Sequence, residues 1–91
     1  MAALEKTVQI LNKRGLHARA AAKFVKLVEQ HKADIKVSKD DMVVGGSSIM
    51  GLLMLSASQN TQIKISASGE DAEQAVQALT ALVGNLFGED S

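Results

Sequence analysis

Apolar and polar residues alternate from Leu4 to Leu11. Leu4, Val8 and Ile10 share one parity with Lys6, while Glu5, Thr7 and Gln9 take the other, the period-two signature of a half-buried strand. Gly15 breaks the pattern. From Ala18 to about Gln30 the spacing becomes helical, with Ala21, Phe24, Val25 and Val28 on one side and Lys23, Lys26 and Glu29 on the other, as in an amphipathic helix. Ala33, Ile35 and Val37 then alternate with Asp34, Lys36 and Ser38 as a second strand. Lys39 to Asp41 reads as a hairpin turn into a short third strand at Met42 to Val44, ended by Gly45 and Gly46. Ser47 and Ser48 precede a short helix over 49–55 that is apolar on every side, opened by a serine cap. Ile63, Ile65 and Ala67 alternate with Gln62, Lys64 and Ser66 as a fourth strand. Ser68 to Asp71 has the spacing of a capping box with Asp in the usual Glu position, opening a third helix through Ala72, Ala75, Val76, Leu79, Leu82, Val83 and Leu86. Gly88 to Ser91 are expected to fray.

The predicted order is strand, helix, strand, strand, helix, strand, helix. Because each strand has one apolar and one polar face, an antiparallel or mixed sheet covered by helices on one side is expected, not a doubly wound parallel sheet. The 91 residues provide a single domain, 1–91, able to bury somewhat more than about 60 percent of its unfolded surface.

Composition removes several functions. The chain has no cysteine, so disulfides, thiolate metal sites and thiol chemistry are excluded, in keeping with an expected cytoplasmic location. Met1 to Lys6 lacks the basic start and apolar run of a signal peptide, and no stretch approaches the ~20 apolar residues of a membrane span. Ten Lys plus Arg balance ten Asp plus Glu, which argues against electrostatic binding to nucleic acid or an anionic membrane. Two Phe without Trp or Tyr make no base-stacking platform.

Candidate chemistry centres on His17, within Gly15, Leu16, His17, Ala18, Arg19. Imidazole is partly neutral and nucleophilic near pH 7, so it can hold a transferred group and release it. At a helix start, the free backbone N–H groups and positive dipole end favour an anion on that ring. Arg19 adds a planar charged donor, and Lys13, Arg14, Lys23 and Lys26 lie close in sequence. His31 cannot share a metal ion with His17, since a continuous helix would separate them by about 21 Å; it suits a helix C-terminus instead. Gly45, Gly46, Ser47, Ser48 lacks the lysine that a nucleotide-binding P-loop requires. No cleft is expected for a Ser, His, Asp triad, and no metal or cofactor is predicted. In the short helix, Leu52 and Leu55 suffice to anchor it, leaving Ile49, Met50 and Leu53 as a candidate exposed partner surface.

Two segments together, Gly15, Leu16, His17, Ala18, Arg19 after the first strand and Ser48, Ile49, Met50, Gly51 at the head of the short helix, resemble the signatures of the histidine-containing phosphocarrier (HPr) family, over about Thr7 to Leu86. The resemblance implies an α+β open-faced β-sandwich, a four-stranded antiparallel sheet with three helices on one face in βαββαβα order. It also implies a monomeric carrier of the bacterial phosphoenolpyruvate-dependent phosphotransferase system. His17 would accept a phosphoryl group from enzyme I and donate it to an enzyme IIA protein. Arg19 would stabilise the phosphate, Lys26 would serve docking, and Ser48 would be the regulatory serine that an HPr kinase/phosphorylase modifies in some bacteria. Ser47 is the adjacent alternative; only the match to Ile49, Met50, Gly51 selects Ser48. Ala20 departs from the proline usual after the arginine, which costs roughly 0.4 to 1 kcal/mol of stability but no reacting group. Lys13 and Arg14, the run Leu52 to Leu55 and the acidic Glu89 and Asp90 look closer to the nitrogen-related branch, NPr. The rival reading is a regulatory or dimerising small α/β domain in which His17 is incidental.

Overall fold

The sheet is built from four strands, β1 (Leu4–Gln9), β2 (Asp34–Lys39), β3 (Met42–Gly45) and β4 (Gln62–Ser68). They are arranged in the spatial order β1-β4-β2-β3 with every pair antiparallel. Three helices, α1 (Ala18–Val28), α2 (Ile49–Met54) and α3 (Ala72–Gly84), and a final 3-10 turn at Leu86–Gly88 complete the chain. This computed structural model describes residues 3–91; Met1 and Ala2, the start of the segment that lacks a leader-like pattern, lie outside the described residues.

Register explains the layers. Val8 pairs with Ile63, while Ile65 is paired with Val37 and Ala67 with Ile35, so one face of the sheet is a continuous apolar surface. All of these residues are buried, together with Leu16, Ala21, Phe24, Val25, Leu52, Leu79 and Val83 from the helical side. Their polar neighbours Thr7, Gln9, Lys36, Gln62 and Lys64 occupy the other, uncovered face. The open-faced sandwich expected from the sequence is the observed fold. Asp40, at the β2–β3 hairpin, sits at φ 54, a left-handed conformation that Asp tolerates better than most residues.

Three local expectations are corrected. First, Ser68 and Asp71 do not form a capping box: Asp71 occupies the N-cap of α3 but makes no side-chain cap bond. Its carboxylate instead accepts from the backbone N–H of Lys32 at 3.0 Å and of Ala33 at 2.8 Å. Two otherwise unmatched donors between α1 and β2 outcompete the helix's own. Second, α1 ends at Val28 rather than about Gln30. The following residues turn back, with N–H donation from Gln30 to Leu27 O and from His31 to Val28 O. His31 Nδ1 lies 3.0 Å from Leu27 O, so it does serve the helix C-terminus.

Third, the chain's end is not frayed at Gly88 and Glu89. Helix α3 stops at Gly84 because Leu86 and Phe87 adopt left-handed φ values of 59 and 53, followed by Gly88 at 77. Each non-glycine residue there costs roughly 1 to 2 kcal/mol. Phe87 is completely buried, which contributes roughly 1.5 to 3 kcal/mol in return. Lys23 Nζ donates to Phe87 O at 2.7 Å, and Gly88 and Glu89 close the turn onto Asn85 O and Leu86 O. The tail is thereby folded back over the start of α1.

Candidate functional site

The loop from Ile10 to His17 is fixed before it reaches the helix. Ile10 extends the β1–β4 ladder, its N–H donating to Thr61 O and its carbonyl accepting from Asn60 N–H. Gly15, at φ 65, turns the chain toward α1, and the next N–H, that of Leu16, donates to Ala57 O at 2.8 Å. Asn12 is fully buried beneath this turn, and its side-chain amide donates to Gly15 O at 2.8 Å.

His17 is the N-cap of α1. Its backbone is extended, its carbonyl accepts the first helical bond from Ala21, and its ring Nδ1 accepts from the Arg19 N–H at 3.3 Å. An imidazole therefore performs the task usually given to Ser or Asp at this position, and Nδ1 points at the unsatisfied N–H groups of the first turn. Ala20 is buried in that turn, where an N–H has no intrahelical partner, so the N–H that alanine has and proline lacks adds no helical hydrogen bond.

The other ring nitrogen, Nε2, contacts the Glu89 carboxylate, whose second oxygen accepts from Asn12 Nδ2 at 3.0 Å. The His17 hydrogen bond holds the Glu89 carboxyl below its ordinary range, and Asn12 and the His17 and Arg14 charges reinforce it against partial burial. His17 and Glu89 side chains are only 15% and 13% exposed, so the ring is a largely shielded group.

Glu89 also lines an open basin of about 410 Å³, together with Lys13, Arg14, Arg19, Lys23 and the rest of residues 88–91. The structure thus brings four of the five basic residues around one hollow. Lys26 is exposed on the last turn of α1 and does not line it. Two larger hollows of about 520 Å³ each flank the β2–β3 hairpin at Lys39 and Asp40 and contain no histidine. Among the described residues, no group of His, Cys, Asp and Glu could hold a metal ion, and no helix is long and apolar enough to cross a membrane.

Ser48 caps α2, its Oγ accepting from Gly51 N–H at 2.9 Å; Ser47 precedes it and is also exposed. Ile49 and Met50 are 40% and 70% exposed, as expected, whereas Leu53, grouped with them in the sequence reading, is half-buried against the core. Met54, not singled out from the sequence, is 61% exposed and extends the apolar patch in its place.

Residues 4–85 match the family described as the phosphotransferase-system HPr component phosphorylation site. The chain belongs to the HPr family. Among HPr relatives, that of Neisseria meningitidis serogroup A is 45% identical over 86 residues, covering 94% of this chain and 97% of the relative. An NPr from Shewanella violacea is 40% identical over 91 residues, the full length of both. These two figures do not separate the HPr and NPr branches. The fold is similar to a crystal structure of HPr from Thermoanaerobacter tengcongensis, with a TM-score of 0.92 at 44% identity, covering 97% of this chain and 99% of that one. An HPr of that bacterium also has a crystal structure as a dimer. Membership supports the role of a phosphocarrier in the phosphotransferase system, as opposed to an independent catalyst.

Proposed function

We propose that His17 is the phosphoryl acceptor and donor of this HPr-family carrier, with Nδ1 as the reacting atom. The observation that carries this reading is the N-cap position of His17, whose Nδ1 accepts from the first turn of α1 and whose Nε2 contacts Glu89, a residue lining the hollow shared by Lys13, Arg14, Arg19 and Lys23. A phosphoryl group brings about two negative charges. The helix end and the four basic side chains offset them, so the carrier needs to supply only position and electrostatics.

The donor is proposed to be the phosphohistidine of enzyme I. The Nδ1 lone pair of His17 attacks phosphorus while the donor's N–P bond breaks, its electron pair returning to the donor ring; the same exchange then hands the group to an enzyme IIA protein. Arg19 steadies the phosphoryl oxygens during both steps. The carrier works as a monomer in the cytoplasm, without a cofactor, presenting Ile49, Met50 and the edge of Leu53, with Lys26, to successive partners. Ser48 is proposed as the site of an HPr kinase/phosphorylase, because its hydroxyl is exposed at the head of that patch.

Incubation with enzyme I and labelled phosphoenolpyruvate tests the reading. An acid-labile phosphate mapped to His17, and lost in His17→Ala, is the expected result; label retained by the alanine variant refutes it.

A further inference from the structure

The contact between Glu89 and His17 has a direction. Nδ1 accepts a hydrogen bond from the Arg19 N–H, so in the neutral ring the lone pair is at Nδ1 and the proton at Nε2, where it meets an acceptor-only carboxylate. We propose that Glu89 is a positioning residue for phosphoryl transfer, fixing His17 as the Nε2–H tautomer so that Nδ1 keeps the attacking lone pair. The inference rests on His17 being the phosphoryl acceptor.

The same carboxylate acts on the return step. Phosphorylated at Nδ1 and protonated at Nε2, the ring is a cation beside Glu89. When the Nδ1–P bond breaks, its electron pair returns to Nδ1 and the proton stays on Nε2, so a neutral imidazole leaves. Without that proton the departing group would be an imidazolate, a far poorer leaving group. A carboxylate that holds the proton at Nε2 therefore favours both loading and discharge, as the orienting acid does for the histidine of a serine protease.

Glu89 is held to this task from three sides. Asn12 donates to its other oxygen from a fully buried position. Phe87, two residues earlier, is buried in the core, and Lys23 binds the Phe87 carbonyl. Other charges around the pair come from Lys13 and Arg14 in the loop, Arg19 and Lys23 on α1, and Asp90 in the tail. The cations outnumber the acids, so Glu89 remains ionised, in line with its lowered pKa.

Glu89→Gln separates this role from simple packing. The amide retains the shape of the side chain but has one acceptor oxygen for two donors, Asn12 Nδ2 and His17 Nε2–H. With the oxygen kept by Asn12, the amide NH2 faces Nε2 and drives the proton to Nδ1, the atom that must attack.

The experiment uses the full chain in wild-type, Glu89→Gln and Glu89→Ala forms. Long-range 1H–15N spectra of the ring report the tautomer; labelled phosphoenolpyruvate with enzyme I reports loading, and unphosphorylated enzyme I reports discharge of the isolated phosphoprotein. The expected result is a single Nε2–H tautomer in the wild type, lost in both variants, with loading and discharge slower by about tenfold or more at an unchanged melting temperature for Glu89→Gln. Glu89→Gln with the wild-type tautomer, or with rates within about twofold of wild type, overturns the proposal. A wild-type protein that takes no label at His17 overturns the carrier reading instead, so the two failures are distinguishable.

Discussion

Replacing Gly15 by alanine tests whether the turn before His17 sets the geometry of the ring. The backbone there is left-handed at φ 65, and a Cβ would lie 2.5 Å from Ala57 O and 2.9 Å from Ser58 Cα. Both neighbours are backbone atoms, so no side chain can rotate away. The left-handed conformation alone costs an alanine roughly 1 to 2 kcal/mol. Moving the loop also weakens the buried 2.8 Å bond from Leu16 N–H to Ala57 O, worth about 0.5 to 1.5 kcal/mol. A combined loss of about 1.5 to 3.5 kcal/mol is a large part of the roughly 5 to 14 kcal/mol available to a chain of this size. It corresponds to a fall in melting temperature of roughly 6 to 28 °C. Because the displaced carbonyl of Gly15 is also the one that Asn12 holds, the His17 ring shifts as well, and phosphoryl uptake is expected to slow about tenfold or more. The assay pairs a thermal melt with labelled uptake from enzyme I, run at a temperature where the variant is folded. Gly84→Ala is the control: its Cβ would meet nothing within 4 Å at the end of α3, so it should leave stability unchanged or raise it by up to about 1 kcal/mol. If Gly15→Ala melts within about 4 °C of wild type and takes up label at the same rate, the close approach to Ala57 does not fix the site.

Ser48→Asp places a charge at the head of the Ile49, Met50, Met54 patch while retaining a competent helix cap. Docking must then desolvate the carboxylate at a cost of about 1 to 3 kcal/mol, so affinity for enzyme I should fall about tenfold with little change in melting; equal titration curves for the two proteins would refute the regulatory role. Asp71 offers a pH test. The backbone N–H of Lys32 is the main cause holding its carboxyl below the ordinary range, with Ala33 and the His31 charge contributing against desolvation. A depressed folded pKa stabilises the protein above the unfolded value of about 3.9, and that gain is lost as pH falls through the folded pKa. Asp71→Asn should therefore unfold at lower urea than wild type at pH 7, with the difference narrowing below about pH 4; a difference independent of pH would count against the assignment.

Strands and helices were legible because their signals are local. The parity of Ile63, Ile65 and Ala67 and the helical spacing of Ala21, Phe24, Val25 and Val28 depend only on neighbours a few residues away. His17 was legible for the same reason, standing where a strand pattern stops and a helix pattern begins. Asp71 misled because a capping box is a local pattern, whereas the donors it satisfies at Lys32 and Ala33 are 39 and 38 residues distant. Glu89 was read only as part of an acidic tail and Asn12 carried no signal at all; their partnership spans 77 positions. The one available signal was Phe87, an aromatic residue in a nearly aromatic-free chain, set between Gly84 and Gly88. It marked a segment with something to bury, but two left-handed non-glycine residues hid how the chain would turn to do so.

The strand order has a consequence for how the carrier comes into being. β1 lies at one edge of the sheet, bonded only to β4, with Gln9 opposite Gln62 and Leu4 opposite Ala67. The loop that carries His17 is tied to the same distant stretch through Ala57, Asn60 and Thr61. Pairing of this range closes late, after the entropy of a long chain segment has been lost. A growing polypeptide with α1 already synthesised therefore holds a histidine without its setting, and it acquires one only when the last strand docks. Completion of the fold, rather than synthesis of the proposed acceptor, is what would admit the protein to the relay.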